Sequence, residues 1–119
     1  MKTFLAIYLG DANSPNRAEW DKLDESARQK RIDAGMKAWH AWGEKHKTAI
    51  VENGAPLGKT KRASTAGISD VKNNMAAYTV VRADSHEAAA RMFENHPHFA
   101  IFPGESVEIM ECLPVPGQA

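Results

Sequence analysis

Two histidines, His96 and His98, stand on either side of Pro97 in the last third of the chain. Imidazole exchanges a proton near neutral pH, so His96 and His98 are candidates for acid–base chemistry or ligand binding. His98 follows a predicted helix end and is flanked by Phe99 and Phe102, which favours a pocket with apolar walls. We therefore predict that His98 is a ligand-binding residue and a candidate catalytic residue; in the alternative, its ring bonds a backbone carbonyl and holds the loop. His96 is expected to complete the last turn of the helix.

Two tryptophans, Trp39 and Trp42, lie three residues apart in a segment with helical apolar spacing. Side chains at this separation share one face of a helix. Large rings on such a face serve either as core anchors or as surfaces on which a ligand stacks. Trp39, Trp42 and Phe99 therefore join His98 as candidate ligand-binding residues.

The other histidines and the glycines do not form a pattern that binds a metal or a nucleotide. His40 and His46 are six residues apart, whereas two ligands on one helix face are four apart. The segment G-A-P-L-G-K-T at 54–60 is one residue too short for a phosphate-binding loop and precedes a predicted strand instead of a helix. The sequence thus predicts neither a metal nor a cofactor.

A cluster of basic residues occupies the middle of the chain and consists of Lys59, Lys61, Arg62 and Lys72. Such a cluster can attract an anionic ligand. It is also typical of an exposed strand edge, where charges prevent unwanted pairing. Both interpretations are open at this point.

The composition limits the partners of the chain. It has 119 residues and a mass of 13.1 kDa, with 15 basic and 15 acidic residues. A chain of this size forms one domain, and a net charge of zero does not attract nucleic acid or an anionic membrane. The apolar run 4–9 is too short for a signal peptide, and the single cysteine, Cys112, cannot form an internal disulfide. We expect a cytoplasmic protein with no nucleic-acid or membrane partner.

The first half of the chain predicts a strand followed by two helices. Residues 3–9 place apolar side chains on both faces of a predicted strand, as in a strand covered on both sides. Ser14 is placed to cap a helix, and Pro15 fits its first position. Because Gly35 interrupts the helical pattern, we expect one helix before it and a second, better buried helix from residue 36 to about 47.

Two further strands are expected in the middle of the chain. Residues 57–63 alternate weakly and carry basic side chains, which favours an edge strand. Residues 64–74 are polar and predict a long irregular connection. Residues 76–83 predict the clearest central strand of the second half.

The C-terminal third predicts a helix and a last strand. Asp84 and Glu87 mark the start of the helix, and Pro97 ends it before an apolar loop over 98–103. Residues 106–112 predict the last strand. We expect a single domain over 1–113 and a flexible tail over 114–119.

The predicted order is β-α(α)-β-β-α-β, which is the ferredoxin-like split βαβ plan of the α+β class. In this plan two helices cover one face of a four-stranded antiparallel sheet, so the second apolar face of strand 3–9 would meet water. Two copies that pack sheet against sheet would cover it, and we therefore expect a homodimer. The alternative is a monomer that tolerates a few exposed aliphatic side chains.

Short motifs in the last two thirds of the chain point to a family. They are A-W-H-A-W-G-E-K at 38–45, V-E-N-G-A-P-L-G at 51–58, Y-T-V-V-R-A-D-S at 78–85, E-A at 87–88, P-H at 97–98 and G-E-S-V-E at 104–108. In this order and spacing they resemble the YCII-related, DGPF-type proteins. That resemblance implies the fold of a dimeric α/β barrel, and it places His98 at a position where the DGPF branch often has a histidine.

The sequence departs from the family at two places. Thr65-Ala66-Gly67-Ile68 occupies the stretch of the Asp-Gly-Pro-Phe tetrad. Lys37 and His46 lie near the positions of the His and Asp that form the proposed dyad of the founding branch. The dyad is therefore not transferred to this chain.

These observations favour a homodimeric protein that binds a small organic molecule. The alternative is a cofactor-independent lyase, isomerase or monooxygenase acting on a small aromatic or polar metabolite, as similar barrels host such enzymes. A third possibility is an interaction module without a pocket. A cavity of a few hundred Å3 would favour a binding protein over such a module, and a second titratable group beside His98 in a cavity would favour an enzyme.

Overall fold

The computed structural model describes residues 1–117 as a four-stranded sheet with helices on one face and a separate two-stranded hairpin. The order in the sheet is β2-β5-β1-β6, and every neighbouring pair is antiparallel. This arrangement confirms the predicted ferredoxin-like α+β fold. The elements are β1 (Lys2–Leu9), α1 (Pro15–Asp21), α2 (Glu25–Lys45), β2 (Ile50–Glu52), β3 (Thr60–Ser64), β4 (Gly67–Val71), β5 (Met75–Ala83), α3 (His86–Arg91), α4 (Pro97–Ala100) and β6 (Ser106–Glu111).

The core lies between the sheet and the helices, and β1 contributes its centre. Phe4, Ala6 and Tyr8 are fully buried on the helix-covered face, where Phe4 pairs in register with Val81 of β5. Alternate residues of β1 point to the other face, which remains half-exposed. The two sets of alternating apolar residues in β1 therefore have different environments within one copy of the chain.

The first two helices begin where capping chemistry places them, but their boundary differs from the prediction. Ser14 accepts a hydrogen bond from the Arg17 amide at 3.2 Å, which confirms it as the cap of α1. The predicted break at Gly35 is wrong, because α2 begins at its own cap, Asp24, and continues through Gly35. A Cβ at Gly35 would lie 2.5 Å from the ring of Phe102, so the glycine permits close packing rather than a break.

The predicted second strand was placed too late in the chain. The edge of the sheet is β2, whereas most of the predicted strand 57–63 belongs to the hairpin of β3 and β4. The irregular connection predicted over 64–74 is also wrong, because Gly67–Val71 forms β4. Both faces of this hairpin are largely exposed, so its residues lack the apolar alternation that marks a half-buried strand.

The C-terminal third confirms the last two predicted strands and corrects the helices between them. Ser85, and not Asp84, caps α3 by accepting from the Ala88 amide at 3.0 Å. Pro97 begins α4 instead of preceding a loop, because proline fits the first position of a helix. The predicted tail ends in residues 118 and 119, which lie outside the described residues. Within residues 1–117, no helix is long and apolar enough to cross a membrane.

Candidate functional site

A cleft of about 390 Å3 opens between α2, the loop after β2 and the first half of β5. This volume lies within the range of small-molecule sites. Its walls are largely apolar, and a few polar atoms are present at its base. The side chains that define it belong to Tyr8, Met36, Trp39, Asn53, Thr79 and Phe102.

Helical and strand periodicity bring the cleft residues together. Met36 and Trp39 are three residues apart, so both project from the same face of α2. Tyr8 projects from the buried face of β1, and its ring centroid lies 5.2 Å from that of Trp39. The loop closes over β5 because Gly54 adopts a φ of 72°, where a Cβ would clash with the carbonyl oxygen of Tyr78.

A chain of hydrogen bonds crosses the base of the cleft. The Thr79 hydroxyl donates to the Asn53 carbonyl oxygen at 3.2 Å. The Tyr8 hydroxyl lies 3.1 Å from Thr79 Oγ1, and it donates to that oxygen because the Thr79 proton is already used. The Tyr8 oxygen therefore keeps its lone pairs as acceptors, and a ligand in the cleft could donate to them.

Ionised side chains are absent from the residues that line this cleft. Its two titratable groups are tyrosines, and both are protonated at neutral pH. Burial raises the pKa of Tyr8 more than its hydrogen bond with Thr79 lowers it. The hydrogen bond from Tyr78 to Glu52, and the charge of that carboxylate, raise the pKa of Tyr78. The cleft is consequently uncharged.

His98 lies outside this cleft, on α4. It is buried, and its Nε2 donates to the Leu9 carbonyl oxygen at 2.7 Å. Burial lowers the pKa of His98, and the bond to Leu9 offsets part of that effect. The ring also borders a smaller depression of about 260 Å3 that includes Ala12, Ala76 and Gly104. The hydrogen bond to Leu9 is of the kind expected if the ring of His98 holds the loop. A ligand-binding or catalytic role for His98 stays a prediction.

His96 is completely buried inside a cage of aromatic rings. Its ring centroid lies 4.5 Å from that of Trp39, 4.7 Å from that of Trp42 and 5.1 Å from that of Tyr8. Nδ1 accepts from the His98 amide at 3.0 Å, whereas Nε2 has no hydrogen-bond partner within the described residues. Burial lowers the pKa of His96 to about 3, with smaller effects from neighbouring histidines, so the ring is neutral.

The other predicted contacts are divided between the cleft and the core. Trp39 lines the cleft. Trp42 donates its indole N–H to the Met92 carbonyl at 2.7 Å, and Phe99 borders a separate depression next to Trp20. As ligand-binding residues, Trp39, Trp42 and Phe99 stay predictions, but the structure brings only Trp39 of the four candidates to the cleft. Among residues 1–117, no group of three or more His, Cys, Asp or Glu side chains could hold a metal ion.

Tyr8 and Thr79 were not among the residues predicted to form a site. The sequence did contain one signal for them. Thr79 occupies a position on the buried face of β5, between the apolar positions of Ala77 and Val81, and a polar side chain there needs a partner. Tyr8 lies in an apolar strand, and the sequence alone does not show whether such a tyrosine only packs in the core or also uses its hydroxyl in a site.

The fold and the cleft together define a ferredoxin-like α+β protein with an aromatic-walled cavity on the helix-covered side of its sheet. Among solved structures, the chain is similar to 5-chloro-2-hydroxyhydroquinone dehydrochlorinase (TftG) from Burkholderia phenoliruptrix AC1100, determined as a complex with 2,5-dihydroxybenzoquinone. The TM-score is 0.56 at 17% sequence identity, over 98% of this chain and 99% of that one. No family model matches the chain, and no curated protein matches it significantly. The similarity shows a shared fold.

Proposed function

We propose that this chain is a small-molecule-binding protein and that its ligand occupies the cleft between α2 and β5. The observation that carries the proposal is the combination of a 390 Å3 cavity, the rings of Trp39 and Phe102, and the hydrogen-bonded chain from Tyr8 to Thr79. Apolar walls with a few fixed polar atoms are typical of sites that bind small organic molecules. TftG supports the proposal, because a protein of this fold holds a small ring compound.

The ligand class follows from the chemistry of the walls. Aromatic side chains favour a planar ring. The free lone pairs of the Tyr8 hydroxyl favour a hydrogen-bond donor on that ring, and the absence of ionised lining residues disfavours a charged ligand, which would lose its hydration without compensation. An uncharged phenol has these properties.

A binding protein fits the cleft better than an acid–base enzyme does. General acid–base catalysis needs a group whose pKa is close to the working pH. The raised pKa values of Tyr8 and Tyr78 keep both protonated, and His98 lies outside the cleft. A cofactor-independent enzyme of the YCII-related, dimeric α/β-barrel type is the second candidate. It rests on the similarity of fold to a dehydrochlorinase.

We also propose that two copies associate through the open face of the sheet. Leu5, Ile7 and Val80 are neighbours on that face, and Met110 beside Leu5 is 41% exposed. A contiguous apolar surface of this kind marks an interface, and a sheet-to-sheet homodimer would cover it. The reducing cytoplasm is the compartment that we propose, since Cys112 is a free thiol.

Two exposed alanines provide a test that distinguishes the cleft from the depression beside His98. Ala55 lines the cleft, and Ala12 lines the depression. We expect calorimetry to detect saturable binding of hydroquinone to the wild type and to Ala12→Trp, but not to Ala55→Trp, whose indole fills the cleft. Benzoate, a charged ring of similar size, should bind more weakly than hydroquinone. Loss of binding in Ala12→Trp alone, or no saturable binding to any form, would refute the assignment.

A further inference from the structure

The hairpin of β3 and β4 extends away from the rest of the molecule; we call residues 57–75 the arm. Its strands pair with each other and are not part of the four-stranded sheet. Ile68 near its tip is 77% exposed. The radius of gyration is 16.5 Å, whereas a compact chain of this length would have about 13.5 Å. The arm therefore projects into solvent in an isolated copy.

The arm holds itself together only weakly. Across its strands, Lys61 Nζ contacts Asp70 Oδ1 at 2.7 Å, and the Asn73 amide donates to Thr60 Oγ1 at 3.1 Å. Both contacts are exposed, and exposed pairs contribute little to stability. A two-stranded hairpin without further packing is marginally stable in water. A regular hairpin of this kind is expected to gain its stability from a surface that covers it.

The charges indicate which surface that is. The arm carries four basic residues and one acidic residue, and because the whole chain is neutral, the remainder has a net charge of −3. Residues 104–113, which include β6, contain Glu105, Glu108 and Glu111 and no basic residue. β6 is also an edge strand, bound to β1 on one side only. The chain thus contains a basic hairpin and an acidic, unpaired strand edge.

We propose that the arm of one copy docks on the β6 edge of a second copy, with the basic side chains of the arm facing the three glutamates. This inference rests on the homodimer proposed above. Under two-fold symmetry both arms dock at once, so each copy gives an arm and receives one. Addition of a strand to an open sheet edge is an established mode of association, and complementary charges fix its orientation.

Cys112 follows β6 directly and is exposed, so it can report on the contact. We would mix an Ala66→Cys/Cys112→Ser chain with a tagged wild-type chain, so that any cross-link between the arm cysteine and Cys112 joins two copies and is recognised by mass. A short bismaleimide should give this mixed dimer. The matched control is Ser26→Cys/Cys112→Ser, whose cysteine lies on exposed α2 and should not give it. Equal yields from the two chains would overturn the proposal.

Reversing the charge of basic residues on the arm tests whether the arm contributes to dimerisation. Arg62→Glu/Lys72→Glu should weaken dimerisation roughly tenfold or more in sedimentation equilibrium, and Glu105→Arg, at an exposed position just before β6, should restore part of the loss. The exposed pair Lys30→Glu/Lys37→Glu on α2 makes the same change of charge away from the arm and should have little effect. A stable dimer that is insensitive to the arm charges would overturn the docking and leave the homodimer intact. A wild type that is monomeric at all concentrations would overturn both.

Discussion

Acidification should lower the stability of this protein through His96. A buried imidazole with a folded-state pKa of about 3 binds its proton far less readily than it does in the unfolded chain, where its pKa is about 6.5. Between these two values the unfolded state holds more protons, so the free energy of unfolding falls as the pH falls from 6.5 towards 3. Above pH 6.5 the ring is neutral in both states, and its contribution is fully present.

The size of the effect follows from the shift. One pKa unit corresponds to about 1.4 kcal/mol, so lowering the pH from 6.5 to 5 should cost up to about 2 kcal/mol from His96 alone. This is a considerable share of the stability of a small domain. The lowered pKa values of His98 and His46 act in the same direction, and these groups remain in the variant described next.

Urea unfolding at pH 5, 6, 7 and 8, followed by tryptophan fluorescence at one protein concentration, measures the effect. His96→Asn keeps a cap for the His98 amide and removes the titrating ring. It should lower stability at pH 8, because it leaves a cavity, but its stability should fall much less steeply below pH 6.5 than that of the wild type. His40→Asn is the control at an exposed position. If stability falls equally steeply with pH in wild type and His96→Asn, His96 is not the group whose protonation destabilises the fold.

Three further predictions concern the turn, the interface and the cleft. Gly54→Ala should lower the free energy of unfolding by more than about 1 kcal/mol, because φ is positive and the added Cβ would clash with a backbone carbonyl. Gly58→Ala, with open space around it, is the control and should change this free energy little in the same urea titration. Wild type should sediment at about 26 kDa at micromolar concentration, twice the chain mass, and Val80→Lys should sediment as a monomer; an unchanged dimer would exclude the open face. Tyr8→Phe removes the hydroxyl oxygen to which the ligand is proposed to donate, so calorimetry should show weaker binding of hydroquinone. Unchanged affinity would mean that the ligand does not contact this hydroxyl.

The sequence was sufficient to predict elements that carry strong local chemistry. β1 and β5 are rich in apolar and β-branched residues, and Ser14 bonds the Arg17 amide at the start of α1, so local patterns were enough to recognise these elements. The fold class followed from their order.

The errors in the predicted elements and site arose where contacts between residues far apart in the chain determine the structure. Gly35 lies inside α2, where its missing side chain leaves room for the ring of Phe102, and β2 pairs with β5 through Ile50 and Glu52 only. The cleft joins Tyr8 to Thr79 across 71 positions of the chain. No local pattern contains such a pairing.

The NMR chemical shifts of the backbone amides locate the ligand in one of the two cavities. On titration of 15N-labelled protein with hydroquinone, we predict that the largest shifts occur at residues around the cleft, with Gly54, Ala55 and Ala77 foremost. The amides of Gly10, Ala12 and Gly104, which surround the depression beside His98, should change little. Chemical-shift changes concentrated at these three residues, with none around the cleft, would show that the ligand does not bind in the cleft.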